Sequence, residues 1–201
     1  MLDLNGHALA SESFTVYGAG ISSSGAIINT SGTAATVAGS IIMASNTTFS
    51  GTGDYSIDGV LSGGFNFTKT GTNTITLSGT NTYTGQANIN AGTLLLTSEI
   101  DSDIILSAGI LAGGNGATSV SNKNLTLSGT GTVSPGNGVA AQLTLGDATT
   151  DTFNWTAGTY VWEVAGNMTD SGTDNDSDGV TDADGYGSEG GLITWDILSF
   201  S

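Results

Sequence analysis

Closely spaced aspartates in the last quarter of the sequence are the residues best suited to carry chemistry. Asp174, Asp176, Asp178 and Asp182, together with Gly179, follow the spacing D-x-D-x-D-G-x-x-D. Alternate side chains of such a loop can converge on one hard cation, and the glycine permits the sharp turn that this arrangement requires. We therefore expect these four aspartates to bind Ca²⁺ with weak to moderate affinity.

This spacing resembles the calcium loops of EF-hands and of thrombospondin type 3 repeats. It departs from the EF-hand at the twelfth position, where Gly185 stands in place of the bidentate glutamate. Nine of the eighteen acidic residues lie between Glu163 and Asp196, most of them in an Asp/Gly-rich loop at 166–191. The alternative interpretation is a solvated acidic loop between two strands, which repulsion among its aspartates would hold open.

Two other pairs of carboxylates, Asp54 with Asp58 and Asp101 with Asp103, could be proposed for a glycoside hydrolase, which needs two carboxyl groups in a cleft. Each pair flanks a turn, so a solvated corner is the favoured interpretation. A lyase needs a basic residue to abstract a proton. The sequence has no arginine and only two lysines, both in strand-edge or turn contexts. We therefore predict that the chain is not an enzyme, and keep a carbohydrate-binding or carbohydrate-cleaving module as an alternative.

The remaining reactive or aromatic residues give weaker signals. His7 has no accompanying serine or aspartate constellation, so an ordinary polar role is expected. Trp155, Trp162 and Trp195 could stack on sugar rings, but we expect each to pack in the core or at an end of the fold.

Composition and charge exclude several classes of partner. The chain of 201 residues carries a net charge of -16 with two basic residues, so it has no surface able to neutralise nucleic acid phosphates or an anionic membrane. No apolar stretch approaches the ~20 residues that cross a bilayer. The absence of cysteine excludes a disulfide framework and a thiolate zinc site.

The sequence predicts a succession of short strands. Short runs of β-branched and aromatic residues, such as 74–77, 93–96 and 125–127, are separated by Gly, Asn or Ser. Related segments recur at multiples of about 17 to 25 residues, for example ITLSGT at 75–80 and LTLSGT at 125–130. The pattern predicts a single domain over 1–201, a right-handed parallel β-helix of nine or ten coils with Thr and Asn ladders and glycine corners. A β-sandwich is the alternative fold.

Residues 67–96 carry an ordered set of motifs: KTG at 69–71, LSG at 77–79, NTYTG at 81–85 and INAGTL at 89–94. This segment resembles the autotransporter-associated β-strand repeat, also called the passenger-associated transport repeat. The resemblance implies an extracellular β-helical stalk in a secreted or surface protein of a bacterium with an outer membrane. It also implies that the chain is a fragment of a longer passenger.

These observations together predict a non-catalytic stalk or fibre segment that supports adhesion or self-assembly. Its expected partners are further copies of the chain, joined end to end through coil edges, and a ligand on a host or neighbouring cell. A calcium-dependent interaction module is a further alternative.

Overall fold

The chain forms a parallel β-solenoid in the computed structural model, which describes residues 1–113, 117–120, 124–136, 142–145, 153–161, 164–165, 194–195 and 197–200. All strand pairs in these ranges are parallel except one, in which β21 (Val164–Ala165) runs antiparallel to β22 (Thr194–Trp195). The predicted class, a β-helix, is confirmed, and the parallel ladders exclude the sandwich. The described part has a 3-10 helix at Ile21–Ser23, and no helix in it is long and apolar enough to span a membrane.

Two long sheets form most of the solenoid. The first contains, in spatial order, β1 (Leu2–Asp3), β4 (Ile27–Asn29), β6 (Ile41–Gly51), β9 (Phe67–Lys69), β11 (Ala87–Ile89), β13 (Ile104–Leu106), β16 (Leu125–Leu127) and β19 (Phe153–Trp155). The second contains β2 (Ala8–Leu9), β5 (Ala35–Val37), β7 (Tyr55–Ile57), β10 (Thr74–Leu77), β12 (Thr93–Leu96), β14 (Ile110–Gly113), β17 (Thr132–Ser134) and β20 (Thr159–Tyr160). The chain passes from the first sheet to the second once per coil.

A third side completes some of the coils. Strand β3 (Phe14–Gly18) pairs with the first half of β6, which also pairs with β8 (Leu61–Ser62). Further along the chain, β15 (Ala117–Val120), β18 (Gln142–Leu145) and β23 (Ile197–Phe200) form a separate parallel sheet.

Alternation of side chains along the short strands produces the core. In β7, β9, β11 and β13 the first and last residues are buried and the middle one is half-exposed. Inward side chains therefore stack on one another from coil to coil, as a period of two requires. The outward positions form the predicted polar ladders, for example Thr36, Ser56 and Thr76 in neighbouring coils.

The prediction of nine or ten coils is wrong, because coil length is not uniform. Eight strands follow one another in each long sheet, so the described chain makes eight passes, of which about five are regular turns of the solenoid. The regular register, in which Ile75 pairs with Tyr55 and with Leu94, holds only in the middle of the chain. Towards the two ends the intervals between paired strands are longer, since Ala8 pairs with Thr36 and Thr132 pairs with Thr159. The same chain length therefore builds fewer coils.

Candidate functional site

The predicted calcium ligands Asp174, Asp176, Asp178 and Asp182 lie outside the described residues, as does the Asp/Gly-rich loop at 166–191. The calcium site therefore stays a prediction. Within the described ranges, no three acidic or histidine side chains come together as a metal site.

Three of the four carboxylates proposed for hydrolysis bind neighbouring coils. Asp54 Oδ1 accepts a hydrogen bond from the Thr74 N–H at 2.7 Å, and Asp58 Oδ1 accepts one from the Ser78 hydroxyl at 2.6 Å. The two aspartates flank strand β7, and such a stretch of extended chain corresponds to about 13 Å along the backbone. The two carboxylates are thus held at opposite ends of β7 by different residues of the next coil.

Asp103 has the same type of contact. Its Oδ1 accepts from the Asn124 N–H at 2.9 Å and from Asn124 Nδ2 at 3.3 Å. Asp54, Asp58 and Asp103 therefore each hold a polar group of the following coil, which is a structural role.

Side-chain amides on the outside of the solenoid form a ladder that also connects neighbouring coils. Asn46 Oδ1 accepts from the Asn66 N–H at 3.1 Å, and Asn66 Oδ1 accepts from the Gln86 N–H at 2.9 Å. The ladder thus supplies acceptors from one coil to the backbone N–H groups of Asn66 and Gln86 in the next. The predicted stacking of asparagine is confirmed here.

Lys69 is the residue whose position differs most from the sequence-based expectation. It ends strand β9 and is 0% exposed, so it does not lie at a strand edge or on a solvated turn. We call the turn from the first long sheet to the second the first corner. The Lys69 side chain reaches into the interior of this corner, where four oxygens surround Nζ.

The four oxygens come from two consecutive coils. Nζ donates to the carbonyl oxygens of Thr70 at 2.7 Å, Gly71 at 3.1 Å and Ala91 at 3.2 Å, and to Asn73 Oδ1 at 3.0 Å. An ammonium has three N–H donors, so at least one of them is shared between two acceptors. We call this set of four oxygens the corner cage.

Burial lowers the pKa of Lys69 to about 8, and the Asp54 carboxylate acts in the opposite direction. At neutral pH the side chain is therefore a buried ammonium. Buried charges in proteins need hydrogen bonds to compensate for lost hydration, and the corner cage provides part of that compensation, since burial still lowers the pKa.

Two asparagines extend this polar interior towards the earlier coils. Asn73 Nδ2 donates to the Gly53 carbonyl at 3.1 Å, and Asn29 Nδ2 donates to the Asp54 carbonyl at 2.8 Å and to the Thr33 carbonyl at 2.9 Å. Both asparagines are almost completely buried. Side-chain hydrogen bonds therefore run inside the first corner from the coil of Asn29 to the coil of Ala91.

Glycines line the first corner because side chains would collide with the neighbouring coil. Gly71 has φ +74, and a Cβ there would overlap with the Gly51 carbonyl oxygen. Gly92 has φ +64, and a Cβ there would lie 2.6 Å from Lys69 Nζ. The predicted glycine corners are confirmed, and Gly92 leaves the space that the ammonium occupies.

The core beside the corner contains an aromatic stack. The rings of Phe49 and Phe67 have centroids 4.8 Å apart and an interplanar angle of 24°, and the Tyr83 ring centroid lies 6.0 Å from that of Phe67. Burial raises the pKa of Tyr83 to about 12, against the opposing effect of the Ser102 hydroxyl. Those two buried hydroxyls lie near each other without closing a hydrogen bond of ordinary geometry.

The sugar-stacking candidates do not form a common site in the described residues. Trp155 is 49% exposed and tilted against Phe153 at 5.8 Å, so it does not pack in the core. It lies instead on β19, the last strand of the first long sheet, which is the second position expected from the sequence. Trp162 and the side chain of Trp195 lie outside the description. His7 is exposed on a turn that its N–H closes onto the Leu4 carbonyl.

Sequence reasoning missed Lys69 and Asn73 as interior residues. The signal was the KTG motif at 69–71, whose lysine follows two strand residues in the alternation that places position 69 inward. Its partner Ala91 lies one coil further along the chain, so only the coil length could have connected the two.

Comparison with known families agrees with this arrangement. A family model described as Passenger-associated-transport-repeat matches residues 67–96. The matched segment runs from the first residue of β9 to the last residue of β12, so it contains Lys69, Asn73 and Ala91 of the corner cage. No match was found among curated proteins or among solved structures. The predicted resemblance is confirmed for these residues, and this repeat family indicates a passenger segment of a secreted or surface protein of Gram-negative bacteria.

Proposed function

We propose that this chain is a non-catalytic, extracellular stalk or fibre segment of a bacterial secreted or surface protein, and that it supports adhesion or self-assembly. The observation that carries the proposal is the position of the transport repeat. Residues 67–96 form two consecutive passes through both long sheets, in the middle of a continuous parallel ladder.

The hydrogen bonds of the outer polar side chains support a structural role for this chain. Carboxylates and amides on the outer surface, such as Asp54 and Asn66, hydrogen-bond to the next coil. A solenoid of this kind gains length with each coil while each coil contacts only its neighbours. That property suits a stalk that carries other parts of a protein away from a cell surface.

Self-association is part of the proposal. Among the described strands, β3 has β6 as its one partner, so its other edge has no strand paired with it. An unpaired strand edge can recruit another chain. Electron microscopy of the purified chain would distinguish filaments or dimers from isolated rods.

Surface display tests the proposed function. The chain is placed between a secretion signal and the membrane-embedded barrel of an autotransporter, and surface exposure is measured by protease accessibility on intact cells. Deletion of 67–86 removes one whole coil, because Phe67 and Ala87 are register partners. Deletion of 47–66 is the matched control, because Thr47 and Phe67 are register partners too.

We expect the deletion of 67–86 to reduce surface exposure several-fold relative to the control deletion, since only the former interrupts the transport repeat. Equal exposure of the two deletions and the intact chain would contradict a role of this repeat in export. Cleavage of a polysaccharide by the purified chain would contradict the non-catalytic assignment.

A further inference from the structure

We propose that the corner cage is a binding site for a monovalent cation, and that the Lys69 ammonium is the cation that fills it. The cage consists of the Thr70, Gly71 and Ala91 carbonyl oxygens and Asn73 Oδ1, at 2.7 to 3.2 Å from Nζ. The site goes beyond the proposed function, and its test does not depend on export.

The chemistry of the donors favours a single positive charge. All four ligands are neutral amide or carbonyl oxygens, and the described residues place no carboxylate in hydrogen-bonding contact with Nζ. Rings of such oxygens replace the hydration shell of potassium in ion-selective proteins. A divalent ion would instead favour carboxylate ligands.

The surrounding residues keep the oxygens in place without Lys69. Asn73 is anchored by its own Nδ2, which donates to the Gly53 carbonyl at 3.1 Å. The Thr93 N–H donates to the Asn73 carbonyl, and the Asn90 N–H donates to the Lys69 carbonyl. The backbone of the two coils is thus fixed by the parallel ladder. A shortened side chain at position 69 would therefore leave the four oxygens in position without a cation between them.

The site also has room for an ion in place of the ammonium. Gly92 contributes no side chain, and a Cβ there would lie 2.6 Å from Nζ, where the ion would sit. Because the cage joins residues 70–73 to Ala91, the cation connects one coil to the next. The lysine thus acts as a positioning residue for the register between these coils.

Substitution of the lysine tests the site. Lys69→Ala is expected to lose thermal stability and to regain part of it in KCl or NH4Cl. The midpoint should rise in a saturable way, by about 2 to 4 °C once the ion exceeds its dissociation constant about fivefold. Tetramethylammonium chloride at the same ionic strength is the control salt, because that cation is too large and has no N–H donor.

Two matched proteins complete the experiment. Lys69→Met fills the space with an apolar chain of similar length, and the unaltered protein already has its ammonium in the cage. For each of these two proteins, the thermal midpoint in KCl should equal the midpoint in tetramethylammonium chloride. The same response of Lys69→Ala to all three salts would overturn the proposal, and so would an unfolded Lys69→Ala that none of them refolds.

The unaltered protein offers an independent measurement. An ammonium shielded from water by four acceptors exchanges its protons slowly, so Lys69 should give a resolved 15N–1H signal at neutral pH. A Lys69 ammonium that exchanges as fast as a free lysine would overturn the proposal even if the variants do not fold.

Discussion

Lys69 Nζ donates a hydrogen bond to Asn73 Oδ1 at 3.0 Å inside the first corner of the solenoid. The two residues lie four positions apart, one at the end of β9 and the other just before β10. Asn73 also binds the preceding coil at Gly53, while Lys69 binds the following coil at Ala91. This pair therefore connects three successive coils through the protein interior, where hydrogen bonds are shielded from water.

Stability should increase with pH between about 8 and 10 because of Lys69. Burial lowers its pKa from 10.5 to about 8, so in this window the folded state binds fewer protons than the unfolded state. The free energy of unfolding then rises with pH, by about 2 to 3 kcal/mol across the window. Urea titrations at several pH values would measure this rise.

Controls for the pH profile are available in the same corner. Lys69→Met should abolish the rise, and Asp54→Asn should move its onset to lower pH, because the Asp54 carboxylate favours the ammonium. Above pH 10, the buried Tyr55 and Tyr83 act in the opposite direction, since burial raises the pKa of both. If the stability of the intact chain and of Lys69→Met depended on pH in the same way, the rise could not be assigned to Lys69.

Substitution of Gly71 by alanine should destabilise the solenoid by about 2 to 4 kcal/mol. The residue has φ +74, and the new Cβ would overlap with the Gly51 carbonyl oxygen. Gly32→Ala is the matched control, since a Cβ at position 32 meets nothing within 4 Å. Chemical denaturation should give a lower free energy of unfolding for Gly71→Ala than for Gly32→Ala. Equal free energies would show that the corner tolerates a side chain at position 71.

Truncation of Phe67 tests the aromatic stack. Phe67→Ala removes a fully buried ring that stacks on Phe49 at 4.8 Å, and we expect a loss of about 3 to 5 kcal/mol. Phe65→Ala, two residues away and 42% exposed, should change stability by about 0.5 kcal/mol or less. Similar losses from the two truncations, measured by denaturant unfolding, would contradict the burial pattern.

Calcium binding is to be tested at the aspartate cluster. Calorimetric titration of the intact chain at millimolar Ca²⁺ should give heat, because four spaced carboxylates can share one hard cation. Asp176→Ala should reduce or abolish that heat, while Asp58→Ala, which removes an acidic residue elsewhere, should leave it unchanged. Absence of heat from the intact chain would remove the calcium hypothesis.

Local patterns predicted much of the fold. Short runs of β-branched and apolar residues such as Thr74–Leu77 indicated where the strands lie, and their recurrence indicated stacked coils. Glycine at positions such as Gly71 indicated the corners. The motifs of residues 67–96 indicated the family that the comparison then matched.

Features that depend on contacts between coils could not be predicted. The number of coils follows from their lengths, and these differ widely, since Thr93 pairs with Ile110 but Ala8 pairs with the much more distant Thr36. Alternation in β9 places position 69 inward, but the Ala91 carbonyl oxygen that accepts from the Lys69 ammonium lies one coil further, and no local pattern identifies it. The charge of Lys69 alone indicated a surface position, since lysine is rarely fully buried.

The most direct test of the central claim is the length of the rod as a function of coil number. Insertion of five additional copies of residues 67–86 after residue 86 would add five coils in register, because Phe67 and Ala87 occupy equivalent positions. At the spacing of neighbouring strands, the rod should lengthen by about 24 Å. Small-angle X-ray scattering would show this as an equal increase in the maximum dimension. An unchanged maximum dimension, or an expanded and unfolded profile, would contradict a stalk built from stackable coils.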